Sequence, residues 1–128
     1  MELVNITARM PEKEPKIRIY DNYLVINAAG TKLLGLRDGD YLQINESAQS
    51  VAGKRLLYIG KPSVVTGSYE VKKRKNTMRI NCRLLARMMK EKLDGRGCYR
   101  ICPEDTLRVS DTTWYNIFFK NYDKKNTD

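Results

Sequence analysis

The residues of this chain that could do chemistry are cations. Between positions 71 and 100 stand eleven basic side chains: Lys72, Lys73, Arg74, Lys75, Arg79, Arg83, Arg87, Lys90, Lys92, Arg96 and Arg100. Only two acidic residues, Glu91 and Asp94, accompany them. The surplus of nine equals the net charge of the whole 128-residue chain, +9, so the other 98 residues sum to zero. A field focused in this way attracts polyanions, of which nucleic acid is the commonest. The competing reading is a solubilising surface with no partner. Charge spread for solubility, however, would not usually collect in under a quarter of a chain.

Catalytic chemistry finds little to work with. Histidine is absent, which removes the usual general base, metal ligand and pH switch. The three cysteines, Cys82, Cys98 and Cys102, are odd in number and lack CxxC spacing, so neither a disulfide framework nor a zinc site is expected. There is no G-x-x-x-x-G-K-[ST] loop and no G-x-G-x-x-G after a strand, and Gly95-Arg96-Gly97 is only a short nest-like turn. The expectation is a protein that is not an enzyme, with no catalytic residues, no metal and no cofactor. No apolar run approaches the roughly 20 residues of a membrane helix. MELVNITARMPEKEP lacks a charged start followed by an apolar stretch, so no signal peptide is read and an intracellular, cytoplasmic protein is expected, with a viral origin left open.

The elements that must position the cations follow from pattern and punctuation. KIRIYDNYLVI (16–26) places β-rich runs on either side of Asp21-Asn22, a turn pair, and reads as a hairpin. Asn27 then caps a short helix, AAGTKLL, which Gly35 ends in a left-handed conformation. Asp38-Gly39 turns the chain into a strand at 41–44. A small, polar loop over 46–53 leads to KRLLYIG (54–60). The same order returns after residue 68. YEVKK and TMRI flank Arg74-Lys75-Asn76 as a second hairpin, and Ile80-Asn81 repeats Ile26-Asn27. The helix CRLLARMMKEKL, ended by Asp94-Gly95, precedes the strand CYRIC, a polar loop over 103–111 and the strand TWYNIFFK.

From Asn27 to Tyr41 is 14 residues and from Asn81 to Tyr99 is 18, so the second copy reads as the first with its helix longer by about one turn. The alternative is coincidence between two ordinary ββαββ segments. The predicted organisation is an N-terminal arm (1–15), a first repeat (16–60), a linker (61–68) with a possible strand at Val64-Val65, a basic second repeat (69–120) and a frayed polar tail (121–128). A unit of about 45 residues buries too little to be stable alone, so two copies should pair to cover edges and close one core. Trp114, Phe118, Tyr41 and Tyr99 are its candidate aromatic residues.

KIRIYDNYLVINAAGTKLLGLRDGDYLQI followed by KRLLYIGK resembles the AbrB/SpoVT-like swapped-hairpin family, chiefly through Leu34-Gly35-Leu36 before Asp38-Gly39-Asp40. The likeness spans residues 16–60. The second half is similar in topology alone, as in a tandem, single-chain MraZ-like arrangement. The resemblance implies a mixed α/β, β-rich fold in which two ββαββ repeats interlock as a swapped-hairpin pseudo-dimer, and DNA binding through arginines on the shared surface. Two features depart from that family. Asn27 and Asn81 stand where members often carry proline, and AAGTKLL lacks the expected arginines.

Within the basic stretch, Leu84, Leu85, Met88 and Met89 share one helix face and Arg83, Arg87 and Lys90 the opposite one. Strand alternation sends Lys72 and Arg74 to one side of the hairpin and Lys73 and Lys75 to the other. An edge protected by charge is the alternative use of KKRK. The candidate nucleic-acid contacts are Lys72, Lys73, Arg74, Lys75, Arg79, Arg83, Arg87 and Lys90, with DNA ahead of RNA and phosphate contact ahead of base readout. Asn76, Asn81 and Arg83 are the candidates for base readout. A regulator or antitoxin-like factor would use such a surface. The rival reading is a structural or assembly protein of a virion or other large complex, its basic face docked on an acidic protein, with homo-oligomerisation open to either.

Overall fold

Alternation of apolar residues produces the strands, and their pairing produces a single antiparallel sheet. The computed structural model describes residues 13–51 and 53–124. Among them are β1 (Lys16–Ile19), β2 (Leu24–Ile26), α1 (Ala28–Leu34), β3 (Tyr41–Val51), β4 (Lys54–Gly60), β5 (Tyr69–Glu70), β6 (Lys72–Arg74), β7 (Thr77–Ile80), α2 (Arg83–Lys92), β8 (Gly97–Val109) and β9 (Thr112–Ile117). The strand order is β5-β3-β4-β9-β8-β1-β2-β7-β6. Its two ends, β5 and β6, are successive parts of one extended stretch interrupted at Val71. The Val71 N–H donates to the Asp40 carbonyl at 2.8 Å, and its carbonyl accepts from Gly39 at 2.9 Å. The sheet is therefore nearly closed, which leaves few unpaired edges around the core.

The inner face is aliphatic. Ile17, Ile19, Leu24, Ile26, Met78 and Ile80 point inward with Leu42, Ile59, Val71, Tyr99, Ile101 and Ile117. Each fully buried side chain of this size contributes about 1.5–3 kcal/mol. The β1–β2 hairpin inserts between strands of the second half: β1 pairs with β8 (Ile17 opposite Tyr99), and β2 pairs with β7 (Val25 opposite Arg79). A further pairing joins the halves, β4 with β9, where Gly60 lies opposite Trp114. A Cβ at Gly60 would fall 2.7 Å from the indole, so glycine there lets the ring lie across the strand.

The helices start as local chemistry dictates, with one correction. Asn27 caps α1, its Oδ1 accepting from Gly30 at 2.8 Å, and Gly35 ends it with φ 63°. The second helix is capped by Cys82, not by the expected Asn81. The Cys82 thiol accepts from Leu85 at 3.5 Å, while Asn81 receives the Arg79 guanidinium instead. On α2 the buried face is Leu85, Ala86, Met89 and Leu93, whereas Leu84 and Met88 are 64% and 41% exposed. The expected four-residue apolar face is thus rotated toward Ala86. Of the four candidate aromatic core residues, Tyr99 alone is fully buried; Tyr41, Trp114 and Phe118 are half-buried.

Both expected polar loops are strands. β3 continues to Val51 and β8 to Val109, each past a register shift, so β3–β4 and β8–β9 are long ribbons. Val64 and Val65 belong to no strand and are exposed. The expected arm falls outside the described residues up to position 12, and the expected tail does so from 125. The described start of that tail is anchored rather than frayed. Asn121 is buried, accepts from Cys98 N at 3.3 Å and donates to the carbonyls of Asp94 (3.0 Å) and Arg96 (2.8 Å). It packs so closely on Gly97 that any side chain there would overlap it.

Candidate nucleic-acid interface

The KKRK run forms β6 and the turn into β7. Lys72, Lys73 and Arg74 are all exposed, and Lys75 opens the two-residue turn in the left-handed region, φ 56°. Lys72 lies opposite Arg79, Lys73 opposite buried Met78, and Arg74 opposite Thr77. Register partners share a face, so Lys72 and Arg74 stand with Arg79 on the outer side of the sheet. Lys73 turns the other way, toward α1. Its backbone N–H donates to Asp38 Oδ1 at 2.8 Å.

That contact closes one wall of a cleft of about 660 Å³ between the hairpin tip and the end of α1. Lys32, Arg37, Lys73 and Asn76 line it, with Asp38 as the acidic member. Lys32 and Arg37 belong to the half whose charge sums to zero with its surroundings, and sequence reasoning did not select them. No local signal marks them, because the pairing of β2 with β7 is what brings the end of α1 beside the β6–β7 tip.

Arg79 is held flat. Its guanidinium carbon lies 3.6 Å above the centroid of Tyr23, and Nε donates to Asn81 Oδ1 at 2.7 Å. Beyond it, α2 carries Arg83 and Arg87 exposed. Lys90 is not available in the same way: it donates to Asp21 Oδ1 at 3.0 Å. Arg96 reaches the other oxygen of Asp21 at 3.3 Å. The hydrogen bond from Lys90 first, then the charges of Lys90 and Arg96, hold the Asp21 carboxyl below its ordinary range.

The eight candidate residues therefore do not form one cluster. β2 and β7 run antiparallel, so α1 and α2 leave the sheet at opposite ends. The tip residues Lys73, Arg74 and Lys75 stand by α1, Arg79 is central, and Arg83 and Arg87 stand at the far end beside the Asp21 turn. Lys72 is matched by Glu70 at 3.1 Å and Lys90 by Asp21. Among the described residues, Lys73, Arg74, Lys75, Arg79, Arg83 and Arg87 form no ion pair, and neither do Lys32 and Arg37. By contrast, Arg18 pairs with Asp123 (2.6 Å), Lys61 with Asp40 (2.8 Å), and Arg100 with Glu14 (2.7 Å) and Glu104, although Arg55, Arg108 and Lys120 also form no ion pair among the described residues.

The three cysteines form no disulfide with one another; Cys98 and Cys102 are buried and Cys82 is half-buried. Among the described residues, no group of three or more Cys, Asp or Glu side chains is placed to hold a metal ion, and no helix is long and apolar enough to cross a membrane. No protein-family model, curated protein or solved structure matches the chain.

Proposed function

We propose that this protein binds nucleic acid without catalysing a reaction, through phosphate contacts from the β6–β7 tip, the adjoining α1 cleft, Arg79 and the α2 arginines. One observation carries the reading. Among the described residues, Lys73, Arg74, Lys75, Arg79, Arg83 and Arg87 are left without carboxylate partners along β6, β7 and α2, while Arg18, Lys61 and Arg100 are paired and Arg55 and Arg108, also unpaired, stand singly on β4 and β8. Unmatched charges at the surface repel one another, an arrangement that a polyanion relieves. Lys32 and Arg37 add to the same surface from the other half.

The register of the sheet supports an interlocked pseudo-dimer of AbrB-like type. Val25 pairs with Arg79, 54 positions on, the separation of Asn27 from Asn81. Tyr58 pairs with Asn116, 58 positions on, the separation of Tyr41 from Tyr99. Pairing of equivalent positions is what a two-fold axis between copies requires. The resemblance to that family favours DNA over RNA, and a regulator or antitoxin-like role.

The rival reading, docking on an acidic protein within a larger assembly, draws on Leu84 and Met88, which lie exposed beside Arg83 and Arg87. Anisotropy of a labelled duplex across a salt series separates the two. Six or more phosphate contacts predict that affinity falls by roughly 10³ between 50 and 200 mM salt. Assembly by size exclusion without measurable affinity for nucleic acid would favour the rival.

A further inference from the structure

The outer face of the sheet carries aromatic rings as well as cations. Tyr20 and Tyr23 flank the Asp21-Asn22 turn, joined by a hydrogen bond from Tyr20 N to the Tyr23 carbonyl at 3.0 Å. Their rings stack, centroids 4.6 Å apart and planes 23° from parallel. Arg79 lies over Tyr23 as well. Tyr23 is thus committed to partners, while Tyr20 is stacked on one neighbour and is itself only half-buried.

Tyr20 also borders open space. A cavity of about 400 Å³ is lined by Arg18, Ile19, Tyr20, Arg96, Gly97 and Asp123, a size within the ordinary range of small-ligand sites. A smaller one of about 130 Å³ lies on the same face and shares Arg18 and Tyr20. Cations lead to this ring from across the sheet. Lys72 is opposite Arg79, Arg79 opposite Val25, and Val25 opposite Arg18, so the four residues form one outward row. Arg74, without an ion pair among the described residues, stands in the next row on the same face.

We propose that this face binds single-stranded nucleic acid in preference to duplex, with an unpaired base stacked on Tyr20 and the backbone following Arg79, Lys72 and Arg74. The inference rests on the phosphate-binding reading above and adds to it the form of the ligand. An aromatic ring beside a cationic track is how proteins hold single strands, since every unpaired base offers a face. In a duplex that face is already stacked. The Lys72–Glu70 pair on the track and the Arg18–Asp123 and Arg96–Asp21 pairs near the cavity are solvent-exposed, so a phosphate can displace the carboxylate at little cost.

The test compares a labelled single-stranded oligonucleotide, its duplex and inorganic polyphosphate as ligands of the full chain, using wild type, Tyr20→Phe and Tyr20→Leu. The proposal expects wild type to favour the single strand. It expects Tyr20→Leu to weaken that binding roughly tenfold, the size of one base–ring stack, with duplex and polyphosphate binding unchanged. Tyr20→Phe should keep the preference. Equal wild-type affinity for single strand and duplex overturns the inference while leaving phosphate binding intact. So does a Tyr20→Leu protein of unaltered Tm that binds single strands as wild type does. Failure to bind all three ligands, polyphosphate included, removes the phosphate reading as well.

Discussion

Lys90 donates to Asp21 across 3.0 Å, joining α2 of one half to the hairpin turn of the other. The contact neutralises a cation of the basic stretch, and Asp21 holds Arg96 at the same time. Asp21 therefore limits the basic surface. Asp21→Asn should raise affinity for nucleic acid by several-fold at low salt and steepen the salt dependence, with little change in Tm because the pair is exposed. Anisotropy titration and thermal melting check both parts. The linkage sign is that of a depressed carboxyl. Any stability from this pair is present above the ordinary aspartate value of 3.8 and is lost as pH falls through the lower folded value.

Asn27 organises more than a helix cap. Its Oδ1 accepts from Gly30 N at 2.8 Å and Lys16 N at 2.9 Å, and its Nδ2 donates to the Glu14 carbonyl at 2.8 Å. One side chain thus ties α1 to the start of β1. Asn27→Ala should cost about 1–3 kcal/mol, at or above the usual range for losing a cap, measured by urea denaturation. Asn81→Ala should cost less, since Cys82 caps α2.

Tyr99 is fully buried, and its hydroxyl is hydrogen-bonded. Its hydroxyl donates to the Gly95 carbonyl at 2.7 Å and accepts from Asp94 N at 2.8 Å. Tyr99→Phe should destabilise the fold by about 1–3 kcal/mol by leaving both groups unmatched. Burial pushes the phenol up to about 12 from an ordinary 10.0. The raised value means that its contribution is full below 10.0 and is lost as pH rises through about 12. Tyrosinate absorbance should show a late step that accompanies unfolding, and Tyr99→Phe should reduce it by one tyrosine, leaving Tyr58, which burial and Asp105 also push up.

Elements with strong local determinants were legible in the sequence. The hairpins at Asp21-Asn22 and Lys75-Asn76, the Asn27 cap and the Gly35 helix stop follow from turn and cap chemistry that acts over three or four residues. The β3–β4 and β8–β9 ribbons were not legible. Their distal residues, such as 103–109, are exposed on both faces, so no apolar alternation marks them as strand. The cap of α2 differs from the expected Asn81 because the thiol of Cys82, one residue nearer the helix, takes the Leu85 N–H, while Asn81 is held by Arg79. The eight candidate cations could be selected by charge alone. Their division between the two ends of β7, the loss of Lys90 to Asp21 and the addition of Lys32 and Arg37 depend on which strands pair. No local pattern encodes that.

On the proposed reading, the unmatched cations of the β6–β7 tip hold phosphates. The most direct measurement is the slope of log Kd against log salt for a short DNA, with wild type beside the variant Lys72→Ala, Lys73→Ala, Arg74→Ala and Lys75→Ala. All four residues are exposed, so the variant should fold. A steep wild-type slope is expected, with a variant slope shallower by about 3, near 0.9 for each phosphate released by the three unmatched cations, Lys72 being paired with Glu70. Superimposable lines for the two proteins, or a wild-type affinity indifferent to salt, would contradict it.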